Sequence, residues 1–282
     1  MTTAMAADPL PASILHSPLL AQVGVPHGFT TRLGGVSEGV FESFNFGNPS
    51  DLPPADRDPP ANIHQNWARL LGHLHAAGRE VVQVHQVHGD AVHVVHLGGP
   101  SHIATDGHNT KADAIVCDDP ARVVGIRVAD CCPVLLSTAD GSLVAAVHAG
   151  WRGVIADVLT RTVEAMVHVG AIRPREIVAA IGPCIGPDTF EVGAEVAEQF
   201  RVKFGSGTSL VAPHSGGQHT IDLKAALREQ LLGAGVLGSM VDTRPECTVS
   251  AIGSDGRPLF FSHRRDRGLS GRMVGVIGPV RS

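Results

Sequence analysis

The chain has 282 residues, 43% hydrophobic and 17% charged, a length and composition that supply a sizeable buried core and exclude a wholly disordered polymer. A formal net charge of -5 gives no basic footprint for nucleic acid or an anionic membrane, so any anionic ligand must be held by local groups. No apolar run approaches the roughly 18 residues of a membrane helix. The opening MTTAMAADPLPASILHSPLL lacks a basic start and is broken by Pro9 and Pro11, unlike a secretory signal. The cysteines, at the odd count of five, point to free thiols in a reducing cytoplasm rather than a disulfide framework.

In chain order, residues 1–20 read as a peripheral N-terminal segment. DLPPADRDPPAN at 51–62 is a loop with four prolines, and a helix is expected over 62–77. Short β-type runs follow at EVVQVHQV, AVHVVHL, ADAIVC, RVVGIRVA, PVLLS and SLVAAVH, punctuated by Gly, Asp and Pro. Over 153–169, Val154, Ile155, Val158, Leu159, Val163 and Met166 recur at helical spacing. Further helices are expected at 193–204 and at 222–233, the latter with Asp222 as N-cap. Hairpins with segregated helices predict an α+β fold, a layered α/β sandwich with mixed, hairpin-rich sheets. No linker divides the chain, so 1–282 reads as one domain.

The stretch ADCCPVLL at 129–136 sets two adjacent cysteines at the head of an apolar run. The following TADGS predicts a hairpin with Asp140-Gly141 as its two-residue loop. Cross-strand partners then have numbers summing to 281, which sets His148 opposite Pro133. Side chains alternate along a strand, so Cys131 shares the face of His148, as its diagonal neighbour, while Cys132 points into the core. A three-residue loop would reverse that parity. Two structural thiols, packed as small hydrophobes, are the competing reading of these strands. After His148, HAGWRGV passes from strand to helix with Gly150, Gly153 and Arg152, a combination suited to a phosphate.

The chain resembles the YfiH/YlmD/FAMIN family, long labelled laccase-domain or polyphenol oxidase proteins. The resemblance rests on HGFTTRLGGVSEGVFESFNFG (27–47), QVHGDAV (86–92), KADAIV (111–116), VADCCPVLL (128–136), AAVHAGWRGV (145–154), AIGPCIGPDTFEVG (180–193), DL (222–223), CT (247–248) and FFSHRRDRGLSGRM (260–273). Two departures stand out: His263 occupies a usual tyrosine position, and Asp188-Thr189-Phe190 replaces a Cys-Tyr-containing version. The resemblance implies a zinc site formed by His88, Cys131 and His148, in agreement with the parity argument. Three N/S ligands with an open fourth position describe a catalytic zinc, which would hold Cys131 as thiolate and lower the pKa of a bound water.

The remaining histidines sort differently. His85, His93 and His96 lie at odd separations along one run and cannot all converge with His88, so they read as surface or packing residues. His73-Leu74-His75 imitates the paired H-x-H of multicopper oxidases, but on a helix those positions diverge, and no further pair follows.

The implied chemistry is purine nucleoside metabolism: phosphorolysis of adenosine, inosine, guanosine and methylthioadenosine, and deamination of adenosine. For phosphate the candidates are Arg152, supported by Arg32 and by Arg264 or Arg265. Each arginine also has a bland reading as a solvated ion pair. Asn45 is a candidate for sugar or base, against a plain turn-capping role. Asp130 is a candidate proton carrier or ligand-orienting group. The H-x-E…P-C-x-x-C pattern of nucleobase deaminases is missing, since Pro183-Cys184-Ile185-Gly186 stops short. Four readings compete: a zinc purine nucleoside enzyme, a copper-dependent phenol oxidase, a hydrolase with Cys131 as nucleophile and His148 as base, and a non-catalytic metal-binding role.

Overall fold

The computed structural model of the protein describes residues 13–99 and 110–281. The strands in chain order are β1 (Ile14–Leu15), β2 (His27–Thr30), β3 (Glu80–Val82), β4 (Val92–Val95), β5 (Ala114–Cys117), β6 (Arg122–Val128), β7 (Cys132–Thr138), β8 (Val144–Ala149), β9 (Ile177–Ile181), β10 (Glu191–Val192), β11 (Val211–Pro213), β12 (His219–Ile221), β13 (Val241–Thr243) and β14 (Met273–Ile277). The helices are α1 (Pro18–Val23), α2 (Pro60–His73), α3 (Trp151–Ile155), α4 (Val158–Gly170), α5 (Ala194–Phe204) and α6 (Leu223–Gly233). Among the described residues no helix is long and apolar enough to cross a membrane.

Two mixed sheets form the centre, one of six strands ordered β13-β9-β7-β8-β5-β4 and one of five ordered β1-β2-β14-β6-β3. Phe29, Ile126, Leu135, Val144 and Ala146 fill the space between them. The other face of the six-stranded sheet, with Val134, Leu136, Ala145 and Val147, is covered by Leu159, Val163 and Met166 of α4 and by Leu227 and Leu231 of α6. On the outer face of the five-stranded sheet, Val123, Val274 and Val276 meet Trp67, Leu70 and Leu71 of α2. The result is a helix/sheet/sheet/helix sandwich, the layered α+β architecture that the hairpin pattern predicts. Strand β7 is buried at every position because both of its faces are covered, which is why it reads as a continuous apolar run.

The hairpin register is the expected one, with Pro133 opposite His148 and Leu135 opposite Ala146. The loop itself is longer than two residues. Thr138 N–H donates to the Leu143 carbonyl at 2.9 Å, while the Asp140 carboxylate accepts from Thr138 Oγ1 at 2.6 Å and Ser142 N at 3.1 Å. Residues 139–142 therefore form the turn, and the parity survives because this loop is also even in length.

Three other expectations shift. The helix expected over 153–169 is broken into α3 and α4 at Asp157, whose φ is 67°. Gln230 holds the break, donating to the Val154 carbonyl at 2.8 Å and to Asp157 Oδ1 at 3.0 Å. The helix expected over 62–77 instead starts at Pro60, whose fixed φ suits a first helical turn, and stops at His73, before the left-handed His75. Residues 1–12 lie outside the described residues. Beyond them the segment read as peripheral is part of the sandwich, since β1 pairs with β2 and Leu20 is fully buried. Asp222 does cap α6, accepting from Ala225 N at 2.9 Å, an interaction worth about 1 kcal/mol.

His27 anchors this N-terminal part. Its buried ring contacts the Val25 carbonyl through Nδ1 at 2.9 Å and accepts the Ser17 N–H at Nε2 at 3.0 Å. That arrangement needs a neutral ring, and burial, together with His16 nearby, holds its pKa below the ordinary imidazole value. The folded state then binds fewer protons than the unfolded one, so this contribution to stability is present above the ordinary value and is lost as pH falls below about 6.5. The thermal midpoint should drop between roughly pH 7.5 and 5.5, and His27→Gln should flatten that slope. Identical slopes in the two proteins would contradict the assignment.

Candidate metal centre and its cavity

Three elements meet at one end of the six-stranded sheet. Cys131 immediately precedes β7, His148 lies near the end of β8, and His88 sits in the loop between β3 and β4 with a φ of 60°. Their ligand-capable atoms all lie within 4.8 Å of one another, and among the described residues this is the one cluster of three or more His, Cys or acidic groups with such spacing. The two imidazole rings are 4.8 Å apart between centroids at 78°. Cys132, one residue on, is fully buried in the helix-side core, so alternation sorts the two cysteines as the sequence predicts. Gly150 lets the chain turn beside the cluster: a Cβ there would lie 2.9 Å from the Cys131 sulfur and 3.2 Å from the His88 ring.

Asp113, absent from the sequence reading, organises the cluster. It directly precedes β5 and is fully buried. One carboxylate oxygen contacts His148 Nδ1 at 2.8 Å and accepts the His88 N–H at 2.9 Å; the other accepts from Gly89 N at 2.7 Å and Val87 N at 3.2 Å. A single carboxylate thus fixes the ring of one imidazole and the main chain that carries the other. With Nδ1 bonded to Asp113, Nε2 of His148 is the nitrogen left for the cluster.

Burial alone would raise the Cys131 thiol, but the charge of His148 and hydrogen bonds from His148 and His88 overcome it and bring it down to about 6. Burial likewise opposes protonation of His148, and the Cys131 thiolate with Asp113 reverses this, raising it to about 9. The pair therefore favours a thiolate. Two imidazoles and a thiolate are a donor set that suits zinc, and three side chains leave room for a further ligand, so the residues present fit the implied metal.

The cluster opens into a cavity of 1470 Å³, lined among others by Phe46, Gln86, Arg127, Asp130, Trp151, Phe190, Arg264 and Arg272. The Pro-rich loop contributes Pro54, Pro59 and Pro60 to one wall. His85, expected as a surface or packing residue, also lines it. His96 does not, and stands beside Asp118 at 3.4 Å. His73 ends α2 and stacks on His16, so the H-x-H pair joins no metal cluster among the described residues.

The remaining candidates are distributed unevenly. Arg264 lines the cavity, but its guanidinium donates to the carbonyls of Thr189 and Glu191. Arg152 lies over the Trp151 ring at 4.3 Å and is not among the lining residues. Arg32 belongs to a separate small pocket with Glu42 and Arg257. Arg265 is saturated by Asp266 and by the carbonyls of Thr248, Val249 and Phe260. Asn45 is fully buried away from the cavity lining; its amide donates to Asp58 at 2.8 Å and its oxygen accepts from Gly47 N and Arg272 N. It is a clamp between segments, because both ends of its side chain are taken by the protein. Asp130 lines the cavity with φ 87°, yet its carboxylate is bonded to Thr248 Oγ1 at 2.7 Å and Arg264 N at 2.6 Å, and to none of the three cluster residues.

Residues 26–279 match the family model described as multi-copper polyphenol oxidoreductase laccase. The chain is 40% identical over 277 residues to the purine nucleoside phosphorylase of Deinococcus radiodurans, covering 98% of this chain and 96% of that one. It is 35% identical over 257 residues to purine nucleoside phosphorylase YfiH of Escherichia coli, covering 90% and 93%. The crystal structure of YlmD from Geobacillus stearothermophilus superposes with a TM-score of 0.82 at 31% identity, covering 96% of this chain and all of that one. The chain belongs to this laccase-like YfiH/YlmD family.

Proposed function

We propose that this protein is a zinc-dependent purine nucleoside phosphorylase acting on adenosine, inosine, guanosine and methylthioadenosine, with an accompanying adenosine deaminase activity. The observation that carries the reading is the convergence of His88, Cys131 and His148 on a cavity large enough for a nucleoside and a second small reactant. The names of the relatives support the same reading. Zinc held by those three side chains would supply Lewis-acid polarisation.

The protein's own part is orientation and enclosure. Asp113 keeps His148 turned with Nε2 toward the cluster and holds the His88 loop against it. Trp151, only partly buried, offers apolar ring surface on the cavity wall, which suits stacking against a purine. The Pro-rich loop covers one side, and Asp58 fixes it through Ser37, Asn45 and Asn62. Asp130 serves as a strut for the cavity wall through Thr248 and the Arg264 main chain.

A second reading has one observation in its favour. Cys131, His148 and Asp113 follow the order of nucleophile, base and orienting carboxylate. His88 argues for the metal reading, since a thiol hydrolase has no use for a second imidazole in the same cluster. The multicopper label of the family requires several paired-histidine sites, against the one three-residue cluster among the described residues.

Purified protein should contain one zinc per chain and convert inosine to hypoxanthine and ribose 1-phosphate only when phosphate is present. Copper-dependent oxygen uptake with a phenol, or a metal-free protein with an alkylatable Cys131 essential for hydrolysis, would contradict this. Cys131→Ala should lose both zinc and activity. Cys132→Ala should keep both and cost roughly 1 kcal/mol of stability, as a small core truncation; loss of zinc in both variants would count against the register argument. For Asp113→Asn, competition with a chromophoric chelator should show zinc affinity reduced by about 10- to 100-fold. An unchanged affinity would remove Asp113 from the orienting role.

A further inference from the structure

Four arginines line the cavity: Arg57, Arg127, Arg264 and Arg272. Three have protein acceptors that account for their position. Arg57 donates to the Leu52 and Ser50 carbonyls of its own loop, Arg127 to the Val84 carbonyl, and Arg264 to the carbonyls of Thr189 and Glu191. Arg272 is held differently. Its Nη1 donates to the carbonyls of Ser270 at 2.6 Å and Gly271 at 3.0 Å, and no described residue accepts from Nε or Nη2. Those two nitrogens form one edge of the guanidinium and carry parallel N–H donors, the fork that binds two oxygens of a phosphate at once.

The backbone of Arg272 is as firmly set as its Nη1. Its N–H donates to Asn45 Oδ1 at 2.8 Å, and its carbonyl accepts from Phe46 N at 3.0 Å. A Cβ at the preceding Gly271 would lie 2.8 Å from the Phe261 ring and 2.9 Å from Asn45 Oδ1, so the chain reaches this position only with glycine there. The side chain is partly buried and lines the same cavity as Cys131, Asp130 and Asp51. The free edge therefore belongs to a guanidinium on the wall of the cavity that the His88, Cys131 and His148 cluster opens into, with its conformation fixed before any ligand arrives.

We propose that the Nε–Nη2 edge of Arg272 binds the phosphate consumed in phosphorolysis, with Asn45 as the residue that positions it. This rests on the phosphorylase reading. In that reaction a phosphate oxygen forms a bond to ribose C1′ as the C1′–N9 bond breaks. The bonding pair leaves with the purine, which takes up the proton that hydrogen phosphate carried. A bidentate cationic contact holds the attacking anion at one face of the ribose while leaving the purine untouched.

Steady-state kinetics of Arg272→Gln, with phosphate and inosine varied separately, tests this. The KM for phosphate should rise on the order of 10- to 100-fold with the KM for inosine little changed, while zinc content stays at the wild-type level. Arg272→Lys, which keeps the charge but not the fork, should fall between. Asn45→Ala should raise the phosphate KM in the same direction. An unchanged phosphate KM in Arg272→Gln, or an equal rise for both substrates, would overturn the proposal. Phosphate binding is read independently by the rise in thermal midpoint on adding inorganic phosphate without nucleoside. If wild-type protein shows that rise and Arg272→Gln does not, Arg272 is the anion site even if no ribose 1-phosphate forms, in which case the phosphorylase reading alone fails. If both proteins shift equally, the Arg272 assignment fails whatever the activity.

Discussion

The site depends on one buried carboxylate. Asp113 has no solvent exposure and accepts contacts from His148 and from three consecutive main-chain N–H groups around His88. A buried carboxylate without such partners would be costly, so folding that buries Asp113 also sets the His88 loop and the His148 ring. The candidate ligands are thereby assembled by the same interactions that close the end of the six-stranded sheet. Burial raises the cost of a free charge, and here the local answer is a chain from Asp113 to His148 to Cys131 that favours the thiolate.

The two-sheet sandwich provides what that arrangement needs. Strands β7 and β8 are covered on both faces, by the five-stranded sheet and by α4 and α6, so their ends are rigid supports for Cys131 and His148. The cavity wall around them is built from loops tied down by polar side chains with no solvent exposure or little. Asn45 joins Gly47, Asp58 and Arg272; Asp130 joins Thr248 to Arg264. Side chains that look like ligand-binding groups in the sequence act here as struts, and the groups that face the cavity depend on them for their position.

What was legible in the sequence followed from local periodicity. Alternation along β7 and β8, with an even-length turn, separated Cys131 from Cys132 even though the loop is four residues rather than two. Helical spacing located α4, and helix start and stop signals located α5 and α6, to within a few residues. The break at Asp157 left no trace in that spacing, since α3 and α4 continue one apolar pattern while Gln230, far along the chain, holds the kink. Asp113 was hidden within ADAIVC, where it reads as the polar start of a strand; its proximity to His88 arises from the tertiary structure. The arginines were the least legible, because residue type says nothing of which guanidinium edge is already occupied. Arg32, Arg152 and Arg265 are engaged elsewhere, and Arg272 emerges only once the acceptors of its neighbours are known.

On the proposed function, two imidazoles and one particular sulfur grip a single divalent ion. Anomalous diffraction from crystals of the purified protein, recorded on either side of the zinc absorption edge, tests it most directly. One strong peak is expected in contact with His88, Cys131 and His148, present above the edge and absent below it. A peak in contact with the Cys132 sulfur, or no metal between the three side chains in protein purified without chelator, would contradict it.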